Sequence, residues 1–304
     1  MKTNSSANQK AYIVTGPTSG IGREATFELA KHGTVILVGR NREKLDQLQR
    51  TIESKGQFAV TVACDVSNIL SVRRAAAEIV ALGLPIAGLL NNAGVMEQQP
   101  TKSAQNWDTS FATNHLGPFV LTEALAPHLP DGANILFVVS AVEDPERKPA
   151  QVVGMRGARY ISAEASSRGE WEPGGSKLPG ADAYATSKQC ALATVIELAR
   201  EVPRLRFNAI EPGITPGTGL GRANFFVRQL FGVITFFPPF AKYRSTPKQA
   251  ARVITKIMTD EAVKSGVYYD EKGLPMQGSF LVRNSKFRAR VVAETRALLS
   301  TIPH

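Results

Sequence analysis

The chain has 304 residues, 43% of them hydrophobic and 20% charged, and a formal net charge of +10. Those proportions belong to a globular protein and exclude a disordered or collagen-like one. Two cysteines exclude a disulfide framework, four scattered histidines offer no metal site, and basic residues spread along the whole chain favour anionic ligands but argue against nucleic acid.

Residues 1–10 are polar, lack the apolar core of a secretory signal, and read as a mobile tail. Residues 11–304 read as one domain without repeats, in a reducing, cytoplasmic setting. The apolar run 11–15 ends in Gly16, Gly20 and Gly22 and passes into a helical stretch, a pattern of strand, tight turn and helix. A Cβ there would obstruct both the turn and the approach of backbone N–H groups to a phosphate, so a dinucleotide is the natural guest. A second triplet, Gly217, Gly219 and Gly221, has no apolar strand running into it.

Further apolar runs at 34–39, 58–64 and 86–90 alternate with helical spacing at 42–55, carried by Leu45, Leu48 and Ile52, and at 69–82. With strands expected at 133–140, 206–211 and 266–269, the pattern specifies an α/β fold: a single Rossmann-type doubly wound domain on a seven-stranded parallel sheet. Arg40 and Asn41 follow the second strand. A guanidinium stands there where dinucleotide folds use a carboxylate for the ribose 2′-OH, which favours NADP(H) and leaves NAD(H) open; the plainer reading of Arg40 is a solvated loop charge.

Asn114 lies in a helical run among Phe111, Leu116 and Phe119, where an amide is out of place unless it binds a carbonyl one turn back and kinks the helix. The strand at 133–140 ends on Ser140. Tyr184 and Lys188 lie four apart in a helical stretch at 183–201 and so share one face. The phenol alone titrates near 10, about three units above neutrality, and a fixed cation beside it would stabilise the phenolate. The same spacing recurs at Tyr268 and Lys272, but in a strand-like run ending in a turn, where no helical face is shared.

Between Ser140 and Tyr184, residues 143–182 are rich in Gly, Pro, Arg and Glu and read as an insertion over or beside the site. The apolar stretch 225–240, interrupted by Arg228, Pro238 and Pro239, is too short to span a membrane, and peripheral association stays open. Thr246 and Pro247 have the form of a helix cap and first-turn proline, and a last helix is expected at 287–299.

Gly16, Gly20, Ile21 and Gly22 after Thr15, the segment Asn91, Asn92, Ala93 and Gly94, the run from Asn114 through Gly117 to Phe119, Ser140, the Tyr184/Lys188 pair, and Pro212 with Gly213 together resemble the short-chain dehydrogenase/reductase family. Long insertions like 143–182 are similar to those of its retinol-dehydrogenase-like and protochlorophyllide-reductase-like branches. The resemblance implies an NAD(P)-dependent oxidoreductase with a Ser-Tyr-Lys-Asn tetrad. In it Tyr184 exchanges the proton, Ser140 holds the substrate oxygen, Lys188 binds the nicotinamide ribose, and Asn114 positions a relay water. It also implies cofactor contacts at Thr18, Ser19, Asp65, Val66, Asn92, Ala93, Gly94, Ile214 and Thr215; Asp65 could equally cap its own loop. Residues 214–245 take the place of a substrate lobe, which suggests a hydrophobic small molecule; packing on the core or on another subunit is the alternative. A homodimer or homotetramer, paired through helices beginning at Ser103 and Ala183, is open, as are a non-catalytic NADP(H)-binding regulator and a reductase of carbon–carbon double bonds.

Overall fold

The computed structural model describes residues 10–215, 238 and 240–303. The expectations for the N-terminal tail, for the triplet at 217–221 and for most of the 214–245 lobe lie outside the described residues.

One sheet organises the chain. Its strands are β1 (Ala11–Thr15), β2 (Thr34–Gly39), β3 (Ala59–Ala63), β4 (Ile86–Asn91), β5 (Asn134–Val138), β6 (Arg206–Ile210), β7 (Tyr268–Tyr269) and β8 (Pro275–Met276), in the order β3-β2-β1-β4-β5-β6-β7-β8. β1 pairs in parallel with both β2 and β4, so the strand order reverses beside it, and the crevice where open α/β sheets bind ligands falls at its C-terminal end. The central strands are apolar throughout because helices cover both faces. On one face α1 (Gly20–Leu29), α2 (Arg42–Glu53) and α9 (Pro247–Thr259) bury Ala25, Leu29, Leu45, Leu48, Ile52 and Ile254. The other face carries α3 (Ile69–Ala81), α5 (Gly117–Leu125), α8 (Ala181–Glu201) and α11 (Ser285–Ser300), with Val72, Phe119, Leu192 and Val291 at its core.

Seven parallel strands were expected, and an eighth, antiparallel one completes the sheet. β8 returns on β7 through a turn in which the Asp270 carboxylate accepts from the N–H groups of Lys272 and Leu274 at 2.9 and 2.8 Å. Two residues are too few to carry an alternation. That hairpin also holds Tyr268 and Lys272, which share no helical face, as their sequence context implies. Thr246 caps α9 as expected, its hydroxyl accepting from Gln249 N–H at 3.1 Å.

The helix expected from Ser103 starts later. Asn106 takes a positive φ of 60°, Lys102 and Asp108 form an isolated bridge, and Asp108 caps α4 (Thr109–Phe111). A five-residue π-helical segment (Ala112–Leu116) then joins α4 to α5. The 143–182 stretch contains α6 (Lys148–Val152) and α7 (Ala163–Arg168). It is strapped to α11 by Glu294, whose Oε2 accepts from the Tyr160 hydroxyl at 2.6 Å and from Ala163 N–H at 3.1 Å, while the Tyr160 ring meets Phe287 edge-on. The short helix α10 (Phe280–Arg283) follows β8 and packs against α11 and α8.

Candidate active site

The glycine turn is built by its neighbours. The Thr15 hydroxyl accepts from the N–H groups of Asn92 and Ala93, both at 3.0 Å, and the Asn92 amide donates to the carbonyls of Thr15 and Gly16 at 2.9 and 3.2 Å. Gly16 and Gly20 have φ of +67° and +55°, values that L side chains rarely adopt. A Cβ on Gly22 would stand 2.2 Å from the Gly16 carbonyl oxygen, so the helix can pass this close to the turn only without one. Ser19 is exposed at the N-cap of α1 and caps nothing with its side chain, and no acidic residue sits in the first turn. The mouth of the turn, with Thr18 and Gly20 half-buried beside Ser19, therefore offers backbone donors and the positive end of a helix dipole, whereas Ile21 is buried in the core.

Arg40 is exposed at the end of β2, with no carboxylate partner among the described residues. Asn41 caps α2, accepting from Lys44 N–H at 2.9 Å. Asp65 does what a loop cap does: its Oδ1 accepts from the N–H of Ser67 at 3.0 Å and from its hydroxyl at 2.7 Å. Val66 is buried against Gly117, where a Cβ would meet the Val66 carbonyl oxygen at 2.0 Å.

Asn114, Tyr184 and Lys188 are buried, at 2%, 6% and 3% exposure, and Ser140 is half-buried where β5 ends. The Lys188 ammonium lies 5.6 Å from the centre of the Tyr184 ring and donates to the Val138 carbonyl at 2.8 Å. Gly94 joins this group, because a Cβ there would be 3.3 Å from both Asn114 Oδ1 and Lys188 Nζ. Asn114 does not bind a carbonyl one turn back, as its helical setting suggested. Its Oδ1 accepts from Val95 N–H at 2.8 Å, and its Nδ2 donates to the Val95 carbonyl at 2.8 Å and to the Ser187 hydroxyl at 2.9 Å. The irregularity of the helix comes instead from the π segment, a form often found at functional sites. Ser187 in turn donates to the Tyr184 carbonyl at 2.7 Å, so Asn114 links the loop after β4 to the helix bearing the phenol.

On the far side, Gly213 has φ +76°, and a Cβ there would lie 2.7 Å from the Tyr243 carbonyl oxygen. Ile214 N–H donates to that oxygen at 2.8 Å, and the Thr215 hydroxyl donates to the Gly213 carbonyl at 3.1 Å, so Pro212 to Thr215 form a shaped edge next to β6. Arg147, from the 143–182 stretch, stacks on the Tyr243 ring at 4.1 Å. Ala150 and Met155 of the 143–182 stretch share one apolar cluster with Ala181 and Tyr184.

Two buried carboxylates were not singled out in the sequence. Glu211, directly after β6, accepts from Ala141 N–H. Glu143 accepts from the Ser279 N–H at 2.7 Å and hydroxyl at 2.6 Å, and from Gln189. The turn from Ser140 to Glu143 is thus pinned at both ends. The available signal was a lone charge closing each apolar run.

The electrostatics differ from the expectation of a lowered phenol. Burial, and then the Glu211 carboxylate, push Tyr184 above the usual tyrosine range, although a hydrogen bond with Ser140 opposes them. Burial brings Lys188 down to about 8 against the pull of Glu211. The site by itself therefore keeps the phenol protonated, the form that can donate.

Residues 10–150 match the family model described as short chain dehydrogenase. Retinol dehydrogenase 13 of Homo sapiens is 28% identical over 269 residues, covering 86% of this chain and 76% of that protein. A short-chain dehydrogenase/reductase of Armillaria gallica is 30% identical over 212 residues, 69% of this chain and 65% of its own length. The chloroplastic protochlorophyllide reductase of Chlamydomonas reinhardtii is 28% identical over 276 residues, 84% of this chain and 68% of that one. Among solved structures, a blue fluorescent protein from a metagenomic library, in complex with NADPH, superposes with a TM-score of 0.65 at 20% identity, covering 88% of this chain and 98% of that chain. An uncharacterized protein from Mycobacterium Paratuberculosis superposes with a TM-score of 0.71 at 23% identity, over 97% and 94% of the two chains. Sequence matches along most of the chain and a sheet of the same kind lead to one assignment: this protein belongs to the short-chain dehydrogenase/reductase family.

Proposed function

We propose that this chain is an NADP(H)-dependent carbonyl reductase, with oxidation of the matching alcohol as the reverse reaction, acting on a lipophilic small molecule. The carrying observation is the convergence of Asn114 and Lys188 on Gly94, at the same end of the sheet as the glycine turn, with the Tyr184 ring 5.6 Å from the Lys188 ammonium. The residues fit the cofactor: a cradle that a Cβ would fill at Gly22, an α1 N-terminus without a side-chain cap, and an exposed arginine without a carboxylate partner among the described residues. The relative crystallised with NADPH and another solved with NADP, from Burkholderia cenocepacia, agree with that choice.

In this reading Gly16, Thr18, Ser19, Gly20, Ile21 and Gly22 receive the diphosphate, Arg40 and Asn41 take the 2′-phosphate, and Asp65 and Val66 border the adenine. Asn92, Ala93, Gly94 and the Pro212–Thr215 edge line the nicotinamide end. The bound cofactor supplies a hydride, and the chain supplies the proton and the geometry. Ser140 donates a hydrogen bond to the carbonyl oxygen, holding it against Tyr184, which protonates that oxygen as negative charge develops. Lys188 offers a positive charge near the phenol and a donor for the ribose, and Asn114 holds its helix in register with the loop after β4. Residues 11–304 act as one catalytic unit in which the insertion shields the phenol from water.

The test is oxidation of NADPH against lipophilic aldehydes, ketones and quinones. Tyr184→Phe should cost at least about a hundredfold in kcat with NADPH affinity kept; a variant that turns over normally removes Tyr184 as proton donor.

A further inference from the structure

The ends of β5 and β6 lie side by side. Val138 pairs with Ile210, and Val139 N–H donates to the Ile210 carbonyl at 2.9 Å, so the next residues on the two chains, Ser140 and Glu211, emerge together at the reacting end of the sheet. Glu211 is fixed from the other side as well, its N–H donating to the Tyr269 carbonyl at 2.8 Å. The residue is 7% exposed, and its side chain accepts from the N–H of Ala141, the residue immediately after the serine.

Burying a carboxylate is costly, and a glutamine could accept the same hydrogen bond without that cost. The charge itself therefore calls for an explanation, and its surroundings give one. Glu211 is felt by Tyr184 and Lys188 on α8 and by Tyr268 on β7. Burial pushes its own carboxyl above the usual range, with Glu271 of the β7–β8 turn adding to that, while the Ala141 hydrogen bond and the positive charge of Arg147 oppose it and favour the carboxylate.

We propose that Glu211 is a positioning residue of the active site: its carboxylate holds the Ser140 turn through Ala141 N–H and presents a negative charge to the Tyr184/Lys188 pair. The inference rests on the carbonyl-reductase reading above. A negative charge at this place disfavours the phenolate and favours the ammonium. It keeps Tyr184 loaded with its proton, and Lys188 charged, across a wider span of pH than burial alone would allow.

The test is the pH profile of kcat/KM for NADPH-dependent reduction in the full chain, for wild type, Glu211→Gln and Glu211→Asp. Glu211→Gln keeps the acceptor for Ala141 and removes the charge, so the alkaline limb should move to lower pH by about one unit while the plateau rate stays within about threefold. Glu211→Asp keeps the charge but is shorter by a methylene and withdraws from Ala141. Its limb should stay in place while kcat falls by about tenfold to a hundredfold. Coincident limbs for wild type and Glu211→Gln overturn the electrostatic role, and an unchanged kcat in Glu211→Asp overturns the positioning role. A wild-type chain that reduces no carbonyl overturns the functional reading and this inference with it, whereas an active wild type with unaffected variants overturns this inference alone.

Discussion

Replacing Asn114 by alanine separates what this amide does for the fold from what it does for the reaction. Three hydrogen bonds end on it: two to the backbone of Val95, both 2.8 Å, and one to the Ser187 hydroxyl at 2.9 Å. Each such bond contributes about 1 kcal/mol net, and more when the abandoned partner stays dry. Val95 is only half-buried and can recover water, so the loss should be about 3 kcal/mol, near the middle of what three bonds allow. For a chain of this size that is about 5 °C in Tm, readable by thermal melting, and a proportionate fall in the urea midpoint. Activity should fall further than stability, because Ser187 would lose the bond that ties it, and through it the Tyr184 carbonyl, to the β4 loop. A loss below about 1 kcal/mol would mean that the clamp is not holding Val95, and the role given to Asn114 would fail with it.

Three other outcomes are expected. Gly22→Ala puts a methyl 2.2 Å from the Gly16 oxygen and 2.4 Å from the Asn92 amide, so it should destabilise by about 1–3 kcal/mol and weaken NADPH at least about tenfold in a fluorescence titration; a variant that melts and binds like wild type contradicts the tight turn. Arg40→Ala should raise the Kd for NADPH by about tenfold to a hundredfold, the equivalent of one charged hydrogen bond, and leave NADH unaffected; equal losses for both cofactors would remove Arg40 from the 2′-phosphate. Burial raises the Glu143 carboxyl from 4.5 to about 7, so between those values the unfolded chain has given up a proton that the folded chain keeps. Stability from this group is complete below the lower value and declines as pH rises, by at most about 1.4 kcal/mol per unit, and Glu143→Gln should flatten that slope in urea titrations.

Much of this molecule was legible from spacing alone. The central strands are continuous apolar runs because both faces are covered, and the glycine turn announces itself because no other residue tolerates the approach of Gly22 to Gly16. The Tyr184/Lys188 pair was readable because helical geometry puts residues four apart on one face. What escaped depends on contacts distant in sequence. The π segment at 112–116 has no periodic signature, and β8 is two residues long. The inward turn of Glu211 is set by the end of β5, some seventy residues earlier, as is the pinning of Glu143 by Ser279 from the opposite direction. The plainer reading of Asn114, a bond to its own helix, gives way to one with Val95 because that partner lies in the loop after β4, nineteen residues away.

The strap between Glu294 and the 143–182 stretch has a bearing on how this protein can be handled. A cut that removed the final three turns would release Tyr160 and Ala163 at once, and the slackened segment would expose Met155 and Ala150, the side chains that roof the phenol. Trimming the carboxyl end should therefore let solvent reach Tyr184 and at the same time strip α11 side chains such as Leu299 from one face of the sheet.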